Sequence, residues 1–230
     1  MSNFGDSLGC GEVLELCNNT HWKGPYNFSV SNPKTIIELG ANNGSSTREI
    51  LSRMNANDRM IAVEADPRCV DKINNHIRDY RLKLVHAAVT DKDADEIEFH
   101  LCTAEYPGYG PWDCASSLKP IKHGLVVNPW LKYEQDVKVK GISLDTLYKE
   151  NNVDLCDFVW CDVEGAYAEV VKGGIEAFKK TRFFYTECED VETYEGEIMY
   201  PALKEMMEGI GWELVNRFRY DALFRNKELT

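Results

Sequence analysis

The sequence predicts an α/β domain built on one mostly parallel sheet, with helices on both faces. Three observations predict it. Short β-branched or aromatic runs alternate with amphipathic stretches of helical period along the 230 residues. The first run, Ile36-Ile37-Glu38-Leu39, enters a helix through the glycine turn Gly40-Ala41-Asn42-Asn43-Gly44. Later apolar runs end in acids, as expected where the carboxyl ends of strands border a ligand crevice.

Composition narrows the field. The 26 Lys+Arg against 38 Asp+Glu leave a net charge of -12, which disfavours nucleic acid as a partner. No apolar run reaches the ~18 residues that cross a bilayer. Met1 to Asp6 lacks the basic and apolar regions of a signal peptide. The eight cysteines contain no C-x-x-C pair, and Cys156, Cys161 and Cys188 sit in or beside apolar runs as buried thiols. The expectation is a soluble, cytoplasmic protein without structural zinc or a membrane partner.

Taken in order, residues 1–34 form an N-terminal extension of weak periodicity, and the rest a single domain. Ile36 to Leu39 is the first strand. Ser46 with Glu49 fits a capping box, so a helix starts there. The turn between them aims free N–H groups into the crevice. The dinucleotide fingerprint wants glycine where Asn42 stands, so pyrophosphate is poorly served. Glu38 repels phosphate and suits an ammonium group. The balance tilts from NAD towards S-adenosylmethionine, with Gly40, Ala41, Asn42, Gly44 and Ser45 as the loop that binds it.

Met60 to Asp66 is the second strand. Glu64 near its end is placed to hold ribose hydroxyls, with Ala65 beside it. Asp66-Pro67 starts the next helix, whose apolar face is Val70, Ile73 and Ile77. Leu82 to Val89 is a third strand, and its small end, including Ala88 and Val89, leaves a slot for adenine or simply packs closely. Glu96 to Leu101 alternates as an exposed extra strand.

Residues 103–135 are irregular and aromatic. Trp112 and Trp130 suit a sugar ring or another small polar acceptor, which makes this stretch an acceptor lid or an insertion on the sheet edge. Val137 to Ile142 is a strand, and Ser143 to Asn151 a helix. Asp157 to Cys161 is a buried strand ending in Asp162, Glu164 and Gly165, before a helix carrying Val170, Val171, Ile175 and Phe178. Phe183 to Thr186 repeats the pattern and ends in Glu187 and Glu189. Met199 to Ile210 is an amphipathic helix, and 212–218 with 222–225 an antiparallel pair.

The segments I-E-L-G-A-N-N-G-S-S-T, V-E-A-D-P, I-S-L-D-T-L and D-V-E-G-A-Y-A-E-V-V-K-G-G, in this order and spacing, resemble the FkbM family of S-adenosylmethionine-dependent methyltransferases. The resemblance covers about residues 34–190. It implies a Rossmann-like class I methyltransferase fold with a mostly parallel seven-stranded sheet and an antiparallel C-terminal strand. It also implies O-methyl transfer to a sugar, glycan or natural-product hydroxyl. By position, Gly40, Asn42 and Gly44 match the cofactor loop, Glu64 the ribose acid, and Asp162 to Gly165 the acidic signature. Tyr167 stands where the family often has another Glu.

Methyl transfer from a sulfonium needs an aligned acceptor oxygen and removal of its proton. Asp162 is the candidate base. His123 is another, if the lid folds over the site, and an exposed loop histidine otherwise. Asp162 with Glu187, and Glu189 or Asp190 behind them, supplies hard oxygens for Mg²⁺ or Mn²⁺. Glu164 binds the acceptor or caps the following helix. The rival readings are an NAD-dependent enzyme and a non-catalytic cofactor-binding module.

Overall fold

The computed structural model describes residues 34–229, apart from 107, 109, 123–125 and 127. His123 and nearly all of the N-terminal extension lie outside the described residues. The chain opens with β1 (Thr35–Leu39), α1 (Ser45–Arg53), β2 (Arg59–Glu64) and α2 (Pro67–His76). Then come β3 (Leu82–His86), β4 (Ala88–Thr90), β5 (Ala94–Leu101), β6 (Ala104–Tyr106), β7 (Gly110–Trp112) and β8 (Gln135–Ser143). The C-terminal half adds α3 (Leu144–Glu150), β9 (Cys156–Cys161), α4 (Tyr167–Lys172), α5 (Ile175–Phe178) and β10 (Thr181–Glu187). It closes with α6 (Tyr200–Gly209), β11 (Trp212–Arg217) and β12 (Asp221–Asn226).

Seven strands form the main sheet in the order β11-β12-β10-β9-β1-β2-β3. From β3 to β10 every pairing is parallel, and β12 runs antiparallel between β10 and β11. A parallel sheet must be covered on both faces, which is why its strands read as nearly continuous apolar runs. Ile37, Leu39, Val63, Val159 and Phe184 face α3 to α6 through Leu147, Val170, Phe178 and Leu203. Ile36, Met60, Ala62, Phe158 and Tyr185 face α1 and α2 through Ile50, Leu51, Ile73 and Ile77. Each fully buried side chain of this size stabilises the fold by about 1.5–3 kcal/mol.

Three local expectations change. The Ser46–Glu49 capping box does not form. The helix starts at Ser45, Gly44 holds the cap position at φ 80, and Asn43 Oδ1 accepts the Ser45 N–H at 3.0 Å. Glu49 reaches Arg53 instead. The long third strand divides at Ala87, whose N–H donates to the Glu64 carbonyl at 3.0 Å. Beyond it, β4 joins β8 and β5 in a separate three-stranded sheet. The helix carrying Val170 to Phe178 is two pieces, interrupted at Gly173-Gly174.

Candidate active site

The carboxyl ends of β1, β2, β9 and β10 open onto one cleft of about 460 Å³. Gly40, Ala41, Asn42, Ser45, Glu64, Ala65, Ala88, Val89, Trp112, Asp162, Glu164 and Glu187 all line it. These are the expected site residues, now gathered on one surface from segments far apart in the chain.

At the first end of the cleft, Glu64 is only 6% exposed. Its Oε2 accepts the Asn42 N–H at 2.6 Å and its Oε1 the Asp66 N–H at 2.6 Å. Burial still pushes its carboxyl up to about 7, against the pull of those bonds. Each oxygen keeps a lone pair for a further donor. Asn42 sits at φ 48, a left-handed backbone that Asn tolerates and that turns its N–H onto Glu64. Gly40 is required by packing. At φ 83, a Cβ there would lie 1.8 Å from the Asp162 carbonyl oxygen. The turn and the acidic strand end are thus in direct contact.

At the other end, oxygens of Asp162, Glu164 and Glu187 lie within 4.8 Å of one another. Among the described residues, none of the three is ion-paired with a basic side chain. Asp162 is exposed on the cleft wall, and the protein around it pushes its carboxyl up to about 6. Glu164 and Glu187 are raised well above the usual range, first by enclosure and then by the neighbouring carboxylates. Glu164 holds a left-handed backbone at φ 49, a strained state for a non-glycine residue of the kind found at functional sites. Its Oε2 accepts the Tyr194 hydroxyl at 2.7 Å, and its carbonyl accepts the Ser117 hydroxyl at 2.6 Å. Gly165 follows at φ 81, where a Cβ would strike the Tyr194 ring at 2.7 Å.

The outer wall comes from the 103–135 stretch, and it is fastened down. Ser116 Oγ accepts the Cys102 N–H at 3.0 Å and donates to Asp66 at 3.2 Å. Lys72 pairs with Asp113. Asn42 Nδ2 donates to the Asp113 carbonyl at 3.3 Å. Tyr133 donates to the Ala115 carbonyl at 2.7 Å.

Four expected residues lie off the cleft wall. Glu38 is fully buried under the turn, where Oε2 accepts the Thr47 hydroxyl at 2.5 Å. It ties α1 to β1 rather than meeting a ligand's ammonium, and burial pushes its carboxyl up to about 8. Gly44 packs on Ile73 of α2 and on Ile77 just after it. Trp130 stands edge-on behind Trp112, ring centroids 5.7 Å apart, and props it. Glu189 lies outside the carboxylate cluster, and Glu164 takes that place. Tyr167 is buried and donates to the Ile198 carbonyl, so it takes no part in the acidic wall.

Sequence reasoning missed Phe99, Asp113, Cys114, Ser116, Leu118 and Trp160, which also line the cleft. Phe99 had a signal, as an apolar position of the alternating strand β5. Trp160 had none beyond its place in a buried strand, where it stacks on Tyr185 at 4.5 Å.

This sheet order, with a glycine turn and an acid at adjoining strand ends, defines the Rossmann-like fold of class I methyltransferases. The chain belongs to the methyltransferase FkbM domain family, whose model matches residues 38–220. It is 30% identical over 199 residues to the 2-O-methyltransferase NoeI of Sinorhizobium fredii (strain NBRC 101917 / NGR234), covering 84% of this chain and 80% of that protein. The crystal structure of methyltransferase FkbM from Methylobacillus flagellatus KT shares the fold. Its TM-score is 0.52 at 12% identity, over 84% of this chain and 43% of that one, so the chain spans less than half of that protein. The chain is therefore an S-adenosylmethionine-dependent O-methyltransferase, and the NAD and non-catalytic readings fall away.

Among the described residues, no helix is long and apolar enough to cross a membrane. The six described cysteines, including Cys156, Cys161 and Cys188, are free thiols.

Proposed function

We propose that residues 1–230 act as one methyltransferase domain that methylates a hydroxyl of a sugar, glycan or similar polyhydroxy small molecule. The observation that carries this reading is the wall of three carboxylates, Asp162, Glu164 and Glu187, set in the same cleft as the Glu64 turn. The likeness to a 2-O-methyltransferase supports it.

The cofactor lies along the first end. Glu64 takes the ribose hydroxyls on its two free lone pairs. Ala65, Ala88, Val89 and Phe99 give an apolar slot for the adenine. Gly40 to Asn42 and Ser45 meet the methionine portion. The acceptor lies between Trp112 and the acidic wall. Asp162 takes the proton of the reacting hydroxyl, and its raised carboxyl range brings it closer to that task. Glu164 and Glu187 accept hydrogen bonds from neighbouring hydroxyls and fix the acceptor's orientation.

The donor set also fits a hard divalent cation. It offers three carboxylates within 4.8 Å, without basic partners among the described residues and without thiol or imidazole. Mg²⁺ or Mn²⁺ held by Asp162, Glu164 and Glu187 would supply a Lewis acid that lowers a diol's pKa.

The test is transfer of an isotope-labelled methyl group from S-adenosylmethionine to glycan and glycoside pools, in EDTA and with added Mg²⁺ or Mn²⁺. Label in an ether-linked methyl of a sugar is the expected result. Label confined to amines or carboxylates would overturn the sugar-hydroxyl reading. Full turnover in EDTA would remove the metal and leave Asp162 acting alone.

A further inference from the structure

We infer that the acceptor end of the cleft admits neutral or amino-bearing acceptors and turns away anionic ones, such as uronates and phosphorylated sugars, with Glu164 enforcing the choice. The inference rests on the methyl-transfer reading above and names the charge class of its acceptor.

Five carboxylates line the cleft, Glu64, Asp113, Asp162, Glu164 and Glu187, and no Lys, Arg or His does so among the described residues. Two of the five are already answered. Glu64 accepts two backbone N–H groups, and Asp113 is paired with Lys72. The other three face one another at the acceptor end. Nearby cations are engaged elsewhere. Lys119 pairs with Glu169 at 3.2 Å, and Arg217 donates to the carbonyls of Cys188 and Asp221 at 3.1 and 3.0 Å.

The sign of the wall survives a bound metal. A divalent cation there would hold all three carboxylates ionised, and three such charges with one cation sum to one negative charge. Nor can Glu164 swing away when an anion approaches. Its backbone is fixed at φ 49, its carbonyl is held by Ser117 at 2.6 Å and its carboxylate by Tyr194 at 2.7 Å. Tyr194 is itself buried and bound through its N–H to Glu197 at 3.1 Å. A neutral diol donates hydrogen bonds to such a wall, and an ammonium is drawn to it. A further negative charge a few ångströms away, in a recess with little water, costs on the order of tenfold in affinity or more.

The experiment uses the full chain, isotope-labelled S-adenosylmethionine with Mg²⁺, and glycans sorted by charge into neutral, amino-bearing and acidic pools. Part of the acidic pool is chemically reduced at its carboxyl groups, which converts uronates to neutral sugars. The expected result is labelling of the neutral or amino-bearing pool at about ten times the acidic rate or more. Reduction of the acidic pool should raise its labelling, and Glu164→Gln should narrow the gap between pools. Equal labelling of acidic and neutral pools, or an acidic pool unmoved by reduction, overturns the inference while leaving the methyl-transfer reading in place. A Glu164→Gln enzyme that loses activity equally on every pool removes Glu164 as the discriminating residue. Label in no pool at all brings down the methyl-transfer reading and this inference with it.

Discussion

The two ends of the cleft treat their acids in opposite ways. Glu64 at the β2 end is held by two N–H groups at 2.6 Å before any ligand arrives. Among the described residues, Asp162, Glu164 and Glu187 at the β9 and β10 ends meet one side-chain donor, the Tyr194 hydroxyl on Glu164, and otherwise face each other. The first arrangement is rigid because its backbone donors, Asn42 in the glycine turn and Asp66 just after β2, are fixed by the fold, which suits the neutral diol proposed for it. The second is an unbalanced one, held together by the fold against its own repulsion. Its balance must come from what binds there, an acceptor's donors or a cation. Preorganisation at one end and unmet charge at the other suit a constant cofactor and a reacting group.

The sharpest way to break this contrast is Asp162→Asn. Loss of the base should lower kcat by ~10²–10⁴-fold, the usual range for general base catalysis, with calorimetric binding of the demethylated cofactor nearly unchanged. A mutant that keeps kcat would take Asp162 out of the reaction. Glu64→Ala should do the reverse. It should weaken cofactor binding by ~1–3 kcal/mol, the cost of leaving ribose hydroxyls unpaired, with acceptor KM little altered. Unchanged cofactor affinity would remove Glu64 from the site.

A smaller and more diagnostic effect lies in the pH dependence of stability. Glu38 is raised to about 8 and Glu64, Glu189 and Asp221 to about 7, each chiefly by burial, and Asp162 to about 6 by the protein around it. The folded protein therefore holds protons that the unfolded chain releases above its ordinary carboxylate range near 4. Stability contributed by these protons is present below that range and is lost as pH rises towards 8. Tm in EDTA should fall from pH 5 to pH 8, and Mg²⁺ or Mn²⁺ should recover more of it at pH 8 than at pH 6. A recovery independent of pH would separate the cation from the acidic wall. Least of all, Trp130→Ala should raise acceptor KM less than Trp112→Ala, because Trp130 only props the ring that faces the cleft. Equal effects would place Trp130 against the acceptor.

Much of this was legible in the sequence because it is local. The parallel sheet follows from apolar runs of strand length, and the proposed cofactor loop follows from Ile36 to Gly44, one contiguous strand and turn. Glu64, the last residue of β2, and Asp162, the first residue after β9, were legible because a chain leaving a parallel strand meets the sheet edge there whatever the details. A side chain one step inside such an end was not. Glu38 is one residue before a strand end, Glu64 and Glu187 at one, and that offset turns Glu38 into the core between Thr47 and the sheet. Which acid completes the wall was also illegible. Glu164 joins Asp162 and Glu187 because a left-handed turn, packed on Tyr194 thirty residues later, brings its carboxylate round. No local pattern encodes that contact. The sequence by itself determined the sheet, the glycine turn and the acids at its edge, since strand period and turn chemistry are properties of neighbouring residues. Only the tertiary structure decided which acids meet, because a distance between segments depends on packing that no single segment contains.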